Sequence, residues 1–138
     1  MKNYELIEHT ADIGIRVKGG DLKGLFRNAA LAMFEILAKQ IKPAQKNSEK
    51  INLKQKADNP EELFINWLNE LLSLSDAKGL IFYDFQIKKI GKFSLEATLL
   101  GNNIENYKIN TEIKAATYHE LKLKEDKSGW EAEVILDV

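Results

Sequence analysis

The chain has 138 residues, of which 44% are hydrophobic and 30% are charged, a balance that excludes an intrinsically disordered chain. The absence of cysteine excludes disulfides, thiolate metal sites and a cysteine nucleophile. The 20 basic and 21 acidic residues give a net charge of −1, and only Arg16 and Arg27 are arginines, which argues against direct readout of nucleic-acid bases. We therefore expect one soluble, cytoplasmic domain over residues 1–138, without a signal segment or a membrane span.

A polar tetrad, His9-Thr10-Ala11-Asp12, lies near the start of the chain between two apolar runs. The run before it, Tyr4–Ile7, and the alternation that follows predict two short strands. In the second strand the apolar positions are Ile13, Ile15 and Val17. A histidine, a hydroxyl and a carboxylate between two strands are typical of an active-site loop, but also of an ordinary turn.

The first helix is predicted to start after Asp21, which can cap it, and to end near Lys39. Apolar residues from Leu22 to Leu37 recur at spacings of three and four, which gives one broad apolar face. The polar stretch Lys39–Lys50 is predicted to be a surface connection, and a short strand follows at Ile51–Lys54.

The second helix has the clearest start in the sequence. Asn59 stands at the cap position, Pro60 at the first helical position, and Glu62 completes a pattern like a capping box. The helix is predicted to end before Gly79, and Trp67 with the leucines around it is interpreted as core packing rather than a cofactor site.

After Leu80 the apolar residues recur at every second position, which predicts strands. Gly91-Lys92 suits a hairpin connection, and Gly101-Asn102-Asn103 is interpreted as a turn. Two long helices followed by antiparallel strands indicate an α+β fold, a two-layer sandwich with both helices on one face of a mixed, largely antiparallel sheet. The predicted strands are 82–88, 93–99, 107–109, 113–118, 121–123 and 130–136.

Few side chains suit chemistry near neutral pH. The sequence has no Gly-x-Ser-x-Gly elbow and no glycine-rich phosphate loop, and His9 and His119 are far apart. If the last strand runs beside one of the first, Asp12, Asp137 and the terminal carboxylate of Val138 would form an oxygen cluster suited to Ca²⁺ or Mg²⁺. In the alternative interpretation, Asp12 accepts hydrogen bonds in a turn and Asp137 is only solvated.

The sequence resembles the archease family in five blocks that occur in order from one end of the chain to the other. No single block is specific, but the ordered set is. The blocks are His9–Asp12, Phe26–Phe34, Trp67–Leu72, Lys114–His119 and Val134–Val138.

The resemblance implies a small α/β protein with no catalytic reaction of its own. Archeases act as protein cofactors of the RtcB-type RNA ligase in tRNA splicing and RNA repair, promoting its guanylylation and repeated turnover. A chaperone-like role has also been attached to them. The resemblance also implies a divalent metal, calcium with Mg²⁺ or Mn²⁺ as alternatives, bound by Asp12, Asp137 and Val138. It implies that RNA is reached only through the ligase.

One departure from the family and two alternative functions remain open. Many relatives carry Gly-Glu where this chain has Gly101-Asn102, so that any role of that glutamate is absent here or falls to Glu105. The main alternative is a metal-dependent hydrolase or nucleotide-processing enzyme that uses Asp12 with His9 and His119. An RNA-binding module is the third, and for it we expect little RNA affinity at physiological salt. Monomer and small homo-oligomer are equally compatible with the sequence.

Overall fold

A computed structural model describes residues 3–7, 12–43 and 48–138, and in these it has two helices, nine strands and one 3₁₀ turn. The α+β class predicted from the sequence is confirmed. The helices are α1 (Leu22–Leu37) and α2 (Pro60–Lys78), and the 3₁₀ turn is Ile104–Asn106. The strands are β1 (Tyr4–Ile7), β2 (Ile13–Gly19), β3 (Ala38–Gln40), β4 (Glu49–Lys56), β5 (Leu80–Ile90), β6 (Ser94–Asn103), β7 (Tyr107–Ile109), β8 (Ala115–Asp126) and β9 (Gly129–Asp137).

Helix α1 starts where the sequence predicts and ends two residues earlier. The Asp21 carboxylate accepts a hydrogen bond from the Gly24 backbone N–H at 2.7 Å, which satisfies one of the free donors of the first turn. The helix ends close to the predicted Lys39, because the chain becomes extended at Ala38 and pairs there with Ile109 of β7. This pairing joins segments far apart in sequence, so no local pattern signals it.

Helix α2 confirms its predicted start and end. The Asn59 side chain accepts from the Glu62 backbone N–H at 2.8 Å, and Gly79 ends the helix with φ 63° and ψ 41°, a left-handed conformation that favours glycine. Trp67 is fully buried, and its indole N–H donates to the Phe26 carbonyl of α1 at 2.9 Å. It therefore belongs to the core, as predicted.

The strands form three antiparallel sheets within the described part of the chain. Their orders are β1-β2-β9-β8, β4-β6-β5 and β3-β7. Helix α1 packs mainly on β5 and β2, whereas α2 packs mainly on β8. The core between helices and strands contains a cluster of aromatic rings in mutual contact: Phe26, Phe34, Phe64, Trp67, Phe82 and Phe85.

The turn predicted at Gly101-Asn102-Asn103 is wrong, because β6 continues through these residues. Gly101 pairs with Glu49 on one side and with Phe82 on the other. A Cβ atom at Gly101 would lie 3.0 Å from the Phe82 ring, so the glycine permits close packing rather than a turn. The chain turns only after Asn103, in the 3₁₀ segment.

Strand β8 contains a wide irregularity. Thr117 pairs with Ile135 and Lys122 with Glu133, so four residues of β8 oppose a single residue of β9. Within this bulge Glu120 has a positive φ of 52°. Apart from residues 113 and 114, which precede β8, the predicted segments 113–118 and 121–123 are therefore parts of one bulged strand.

Helix α2 is the longer of the two helices, yet its outward face is polar. Neither helix in the described ranges has the length and apolar character needed to cross a membrane.

Candidate metal centre

Strands β2 and β9, from opposite ends of the sequence, lie side by side. Their antiparallel register pairs Ile13 with Leu136 and Gly19 with Trp130. Asp12 directly precedes Ile13, and Asp137 directly follows Leu136. The register therefore brings Asp12 and Asp137 to the same end of the same strand pair, the arrangement that the shared-site hypothesis requires.

The register ends at Ile13 and Leu136, so Asp12 and Asp137 stand at neighbouring strand ends, each one residue beyond the last pair. If the pairing continued by one residue, their Cα atoms would lie roughly 4.5–5.5 Å apart, with the side chains on the same face. Leu136 is fully buried, whereas Asp137 is exposed. Two carboxylates opposed in this way would repel each other, and a cation between them would relieve the repulsion.

The backbone at Asp137 is held by β8, where Ala115 is its paired residue. Just before β8 starts, the Lys114 backbone N–H donates to the Asp137 carbonyl at 2.8 Å. The Thr117 hydroxyl donates to the Ile135 carbonyl at 2.9 Å, two residues before Asp137. The sequence pattern did not predict that Lys114 and Thr117 hold the end of β9. Both residues nevertheless lie in the block Lys114–His119, on which the family resemblance partly rests.

The nearest guanidinium on this face is engaged by other carboxylates. Arg16 contacts Glu5 at 2.6 Å and Glu133 at 3.0 Å. A third contact joins it to Glu131 at 3.6 Å. The hydrogen bonds to Glu5 and then Glu133 raise the pKa of Arg16 above its ordinary value. Arg16 is therefore engaged by three glutamates on the side of the sheet next to the candidate centre.

The donor set of the candidate centre consists of oxygen atoms. Among the described residues no group of three or more His, Cys, Asp and Glu side chains is close enough to hold a metal. Two side-chain carboxylates, Asp12 and Asp137, can be joined by main-chain oxygens of Val138, which is 36% exposed. Hard oxygen ligands that include main-chain oxygens and leave room for water fit Ca²⁺ better than a transition metal, so these residues are compatible with the implied ion.

The histidines fall into two different situations. His9, with Thr10 and Ala11, lies outside the described residues. His119 lies in the β8 bulge, with its ring 3.9 Å from the Glu120 carboxylate and its side chain 65% exposed. It is four residues along β8 from Ala115, the partner of Asp137, and the bulge lies between them. Among the described residues, His119 belongs to no group of three or more side chains that could hold a metal.

Comparison with known proteins identifies the family. The model of the Archease protein family (MTH1598/TM1083) matches residues 4–138. The chain belongs to the archease family. Protein archease of Methanosarcina acetivorans is 36% identical over 143 residues, covering 99% of this chain and 97% of the relative. Protein archease of Pyrococcus furiosus is 36% identical over 144 residues, which is the full length of both chains.

Solved archease structures share the fold. The solution structure of Methanobacterium thermoautotrophicum protein 1598 superimposes with a TM-score of 0.76 at 31% identity, and all of both chains is covered. The crystal structure of a Thermotoga maritima archease, described as a possible chaperone, gives a TM-score of 0.69 at 27% identity over 97% of this chain and 96% of that one. The arrangement of sheets and helices described above is therefore the archease fold.

Proposed function

We propose that this protein is a non-enzymatic, metal-binding activator of an RtcB-type tRNA-splicing RNA ligase, promoting ligase guanylylation and multiple turnover. Membership of the archease family supports the class of function. The β2–β9 register supports the assignment of particular residues, because it brings Asp12 and Asp137 to the same end of the sheet. We expect the protein to act in the cytoplasm.

The contribution of the protein itself is to hold acidic ligands in place. Asp12 and Asp137 would hold the ion from two neighbouring strands, and Val138 would add a main-chain oxygen. When bound, the divalent ion supplies positive charge that offsets the negative charge developing on phosphate groups. The hydrogen bond from Lys114 and the pairing of Ala115 fix the backbone of Asp137, so the ligands are already oriented before the ligase arrives.

The partner we propose is the ligase itself, with RNA reached only through it. The net charge of −1 and the scarcity of arginine support this assignment, because nucleic-acid binding depends on a local excess of cations. Monomer and small homo-oligomer are both compatible with this assignment.

The decisive experiment measures GTP-dependent ligation by the cognate ligase under multiple-turnover conditions. We expect the double variant Asp12→Asn, Asp137→Asn to lose at least tenfold of the stimulation, because its amides are poor substitutes for calcium-binding carboxylates. Asp58→Asn, at an exposed position before α2, is the matched control and should stimulate fully. Full stimulation by the double variant would refute the proposal.

The alternative of a metal-dependent hydrolase has lost support. It requires a general base near a metal-bound water, and among the described residues His119 belongs to no group of three or more side chains that could hold a metal. Turnover of a phosphoester or nucleotide panel by the purified protein alone would favour the hydrolase over the activator. A chaperone-like activity predicts instead that the protein prevents aggregation of unrelated clients without needing Asp12 or Asp137.

A further inference from the structure

A groove of about 760 Å³ separates the second half of α2 from the segment 109–115. Its residues come from both helices, β5, the 3₁₀ turn, β7 and the start of β8. Ile104 and Ile109 on its walls are 36% and 43% exposed, which is unusual for large aliphatic side chains so close together. The aliphatic lining consists of Leu37, Leu72, Ile81, Ile104, Ile109 and Ile113.

The uncharged polar side chains deeper in the groove are occupied within the fold. The Asn69 amide donates to the Ala116 carbonyl at 3.1 Å and accepts from the Ala116 N–H at 2.7 Å. The Ser75 hydroxyl donates to the Leu80 carbonyl at 2.5 Å. A ligand therefore meets mainly aliphatic surface inside the groove and charged side chains at its rim.

The rim carries an excess of negative charge. Asp76, Glu112 and Lys114 border the groove and are all exposed. None of the three takes part in an ion pair with another residue of the described ranges. Two carboxylates against one ammonium group attract a cationic partner, whereas the phosphates of RNA would be repelled from an acidic, apolar-lined groove.

The groove wall is continuous with the candidate metal centre. The backbone N–H groups of Asn110 and Thr111 donate to the Leu37 carbonyl at 2.8 and 3.3 Å, which fixes one end of the segment. The Lys114 N–H fixes the other end on the Asp137 carbonyl. The segment that carries Glu112 and Ile113 thus connects the groove directly to the strand end that bears Asp137.

We propose that this groove docks an amphipathic segment of the ligase, with aliphatic side chains against the isoleucines and Lys or Arg side chains against Asp76 and Glu112. The identity of the partner rests on the proposed function, whereas the chemistry of the segment follows from the lining and rim of the groove. Docking here places the neighbouring Asp12–Asp137 end against the same protein. The groove then supplies affinity, while the aspartates supply stimulation.

Titration of the ligase with the activator separates these two contributions. Ile109→Glu and Glu112→Lys should each raise the half-saturating activator concentration at least tenfold and leave maximal stimulation unchanged. Phe93→Glu is the matched control, since Phe93 is 59% exposed on the distant β5–β6 hairpin, and its half-saturating concentration should equal that of the wild type. An unchanged half-saturating concentration for both groove variants overturns the proposal, even when the wild type stimulates normally.

Methyl NMR gives a readout that does not depend on activity. Adding the ligase should shift or broaden the isoleucine methyl signals of Ile104, Ile109 and Ile113 and leave those of Ile51 and Ile90 unaffected. Such shifts without any stimulation support the groove and refute the activator function, so the two failures are distinguishable. Perturbation only outside the groove overturns the proposal. The proposal is also overturned if the wild type sediments as a dimer and Ile109→Glu sediments as a monomer, because the groove would then bind a second copy of the chain.

Discussion

A single guanidinium organises the charged side of the sheet next to the candidate centre. Arg16 of β2 is opposite Glu133 of β9, and Lys122 of β8 lies 3.6 Å from the same carboxylate. Burial opposes ionisation of Glu133, but the hydrogen bond from Arg16 and the charge of Lys122 outweigh it and hold the pKa of Glu133 below its usual value. The ion pairs of Glu133 with Arg16 and Lys122, which connect β9 to β2 and β8, should therefore weaken in acid.

The expected acid sensitivity has a definite sign. Since the folded-state pKa of Glu133 is lowered, its stabilisation is complete above the unfolded value of about 4.3 and is lost as the pH falls through the folded-state pKa. Glu133→Gln should therefore make the free energy of unfolding fall less steeply below about pH 4.3. Urea unfolding at several pH values measures this slope, and equal slopes for wild type and variant would contradict it. In a double-mutant cycle, Arg16→Gln should cost less once Glu133 is replaced, and the cost that remains should come from the contacts of Arg16 with Glu5 and Glu131.

At the β8–β9 turn the backbone requires a glycine. Gly129 has φ 125°, and a Cβ atom there would lie 2.4 Å from the Gly19 carbonyl oxygen. Gly129→Ala should lower the free energy of unfolding by about 3 kcal/mol, from backbone strain and the contact with Gly19 together. Gly20→Ala is the matched control, because a Cβ there meets nothing within 4 Å, and it should cost less than about 0.5 kcal/mol. Equal losses in urea unfolding would refute this account.

The elements differ in how far the sequence predicts them, and the difference follows the range of the interactions. Helix α2 is predicted at both ends because Asn59 and Gly79 act on their own neighbours in the chain. Strand β3 is missed because its pairing with β7 is not local. Gly101 is misread as a turn because its need for a small residue comes from the Phe82 ring across the sheet. The candidate site also depends on a non-local interaction. The sequence indicates Asp12 and Asp137 as possible ligands, but only the β2–β9 register shows that they stand at the same end of a strand pair.

On the scale of the whole molecule, the two ends of the sequence form one structural unit. Strand β2 from the first part of the chain lies between β1 and β9, and β9 lies between β2 and β8. An ion held between Asp12 and Asp137 would therefore join neighbouring strands that are separated by nearly the full length of the chain. In the unfolded chain the two carboxylates are far apart, so the ion binds the folded state almost exclusively.

Linkage turns this arrangement into a prediction about stability. A ligand that binds only the folded state, at a free concentration a hundredfold above its Kd, adds about 2.7 kcal/mol to the free energy of unfolding. Calcium should accordingly raise the Tm of the wild type by about 8 °C, and chelation should reverse the change. Asp137→Asn should be at least as stable as the wild type in chelator, because one of two opposed charges is gone, but less stable than the wild type in calcium. Only an ion bound at the aspartate pair would reverse the order of stability of the wild type and Asp137→Asn in this way. An equal rise in Tm for the wild type and the double variant Asp12→Asn, Asp137→Asn would place the calcium effect elsewhere in the molecule.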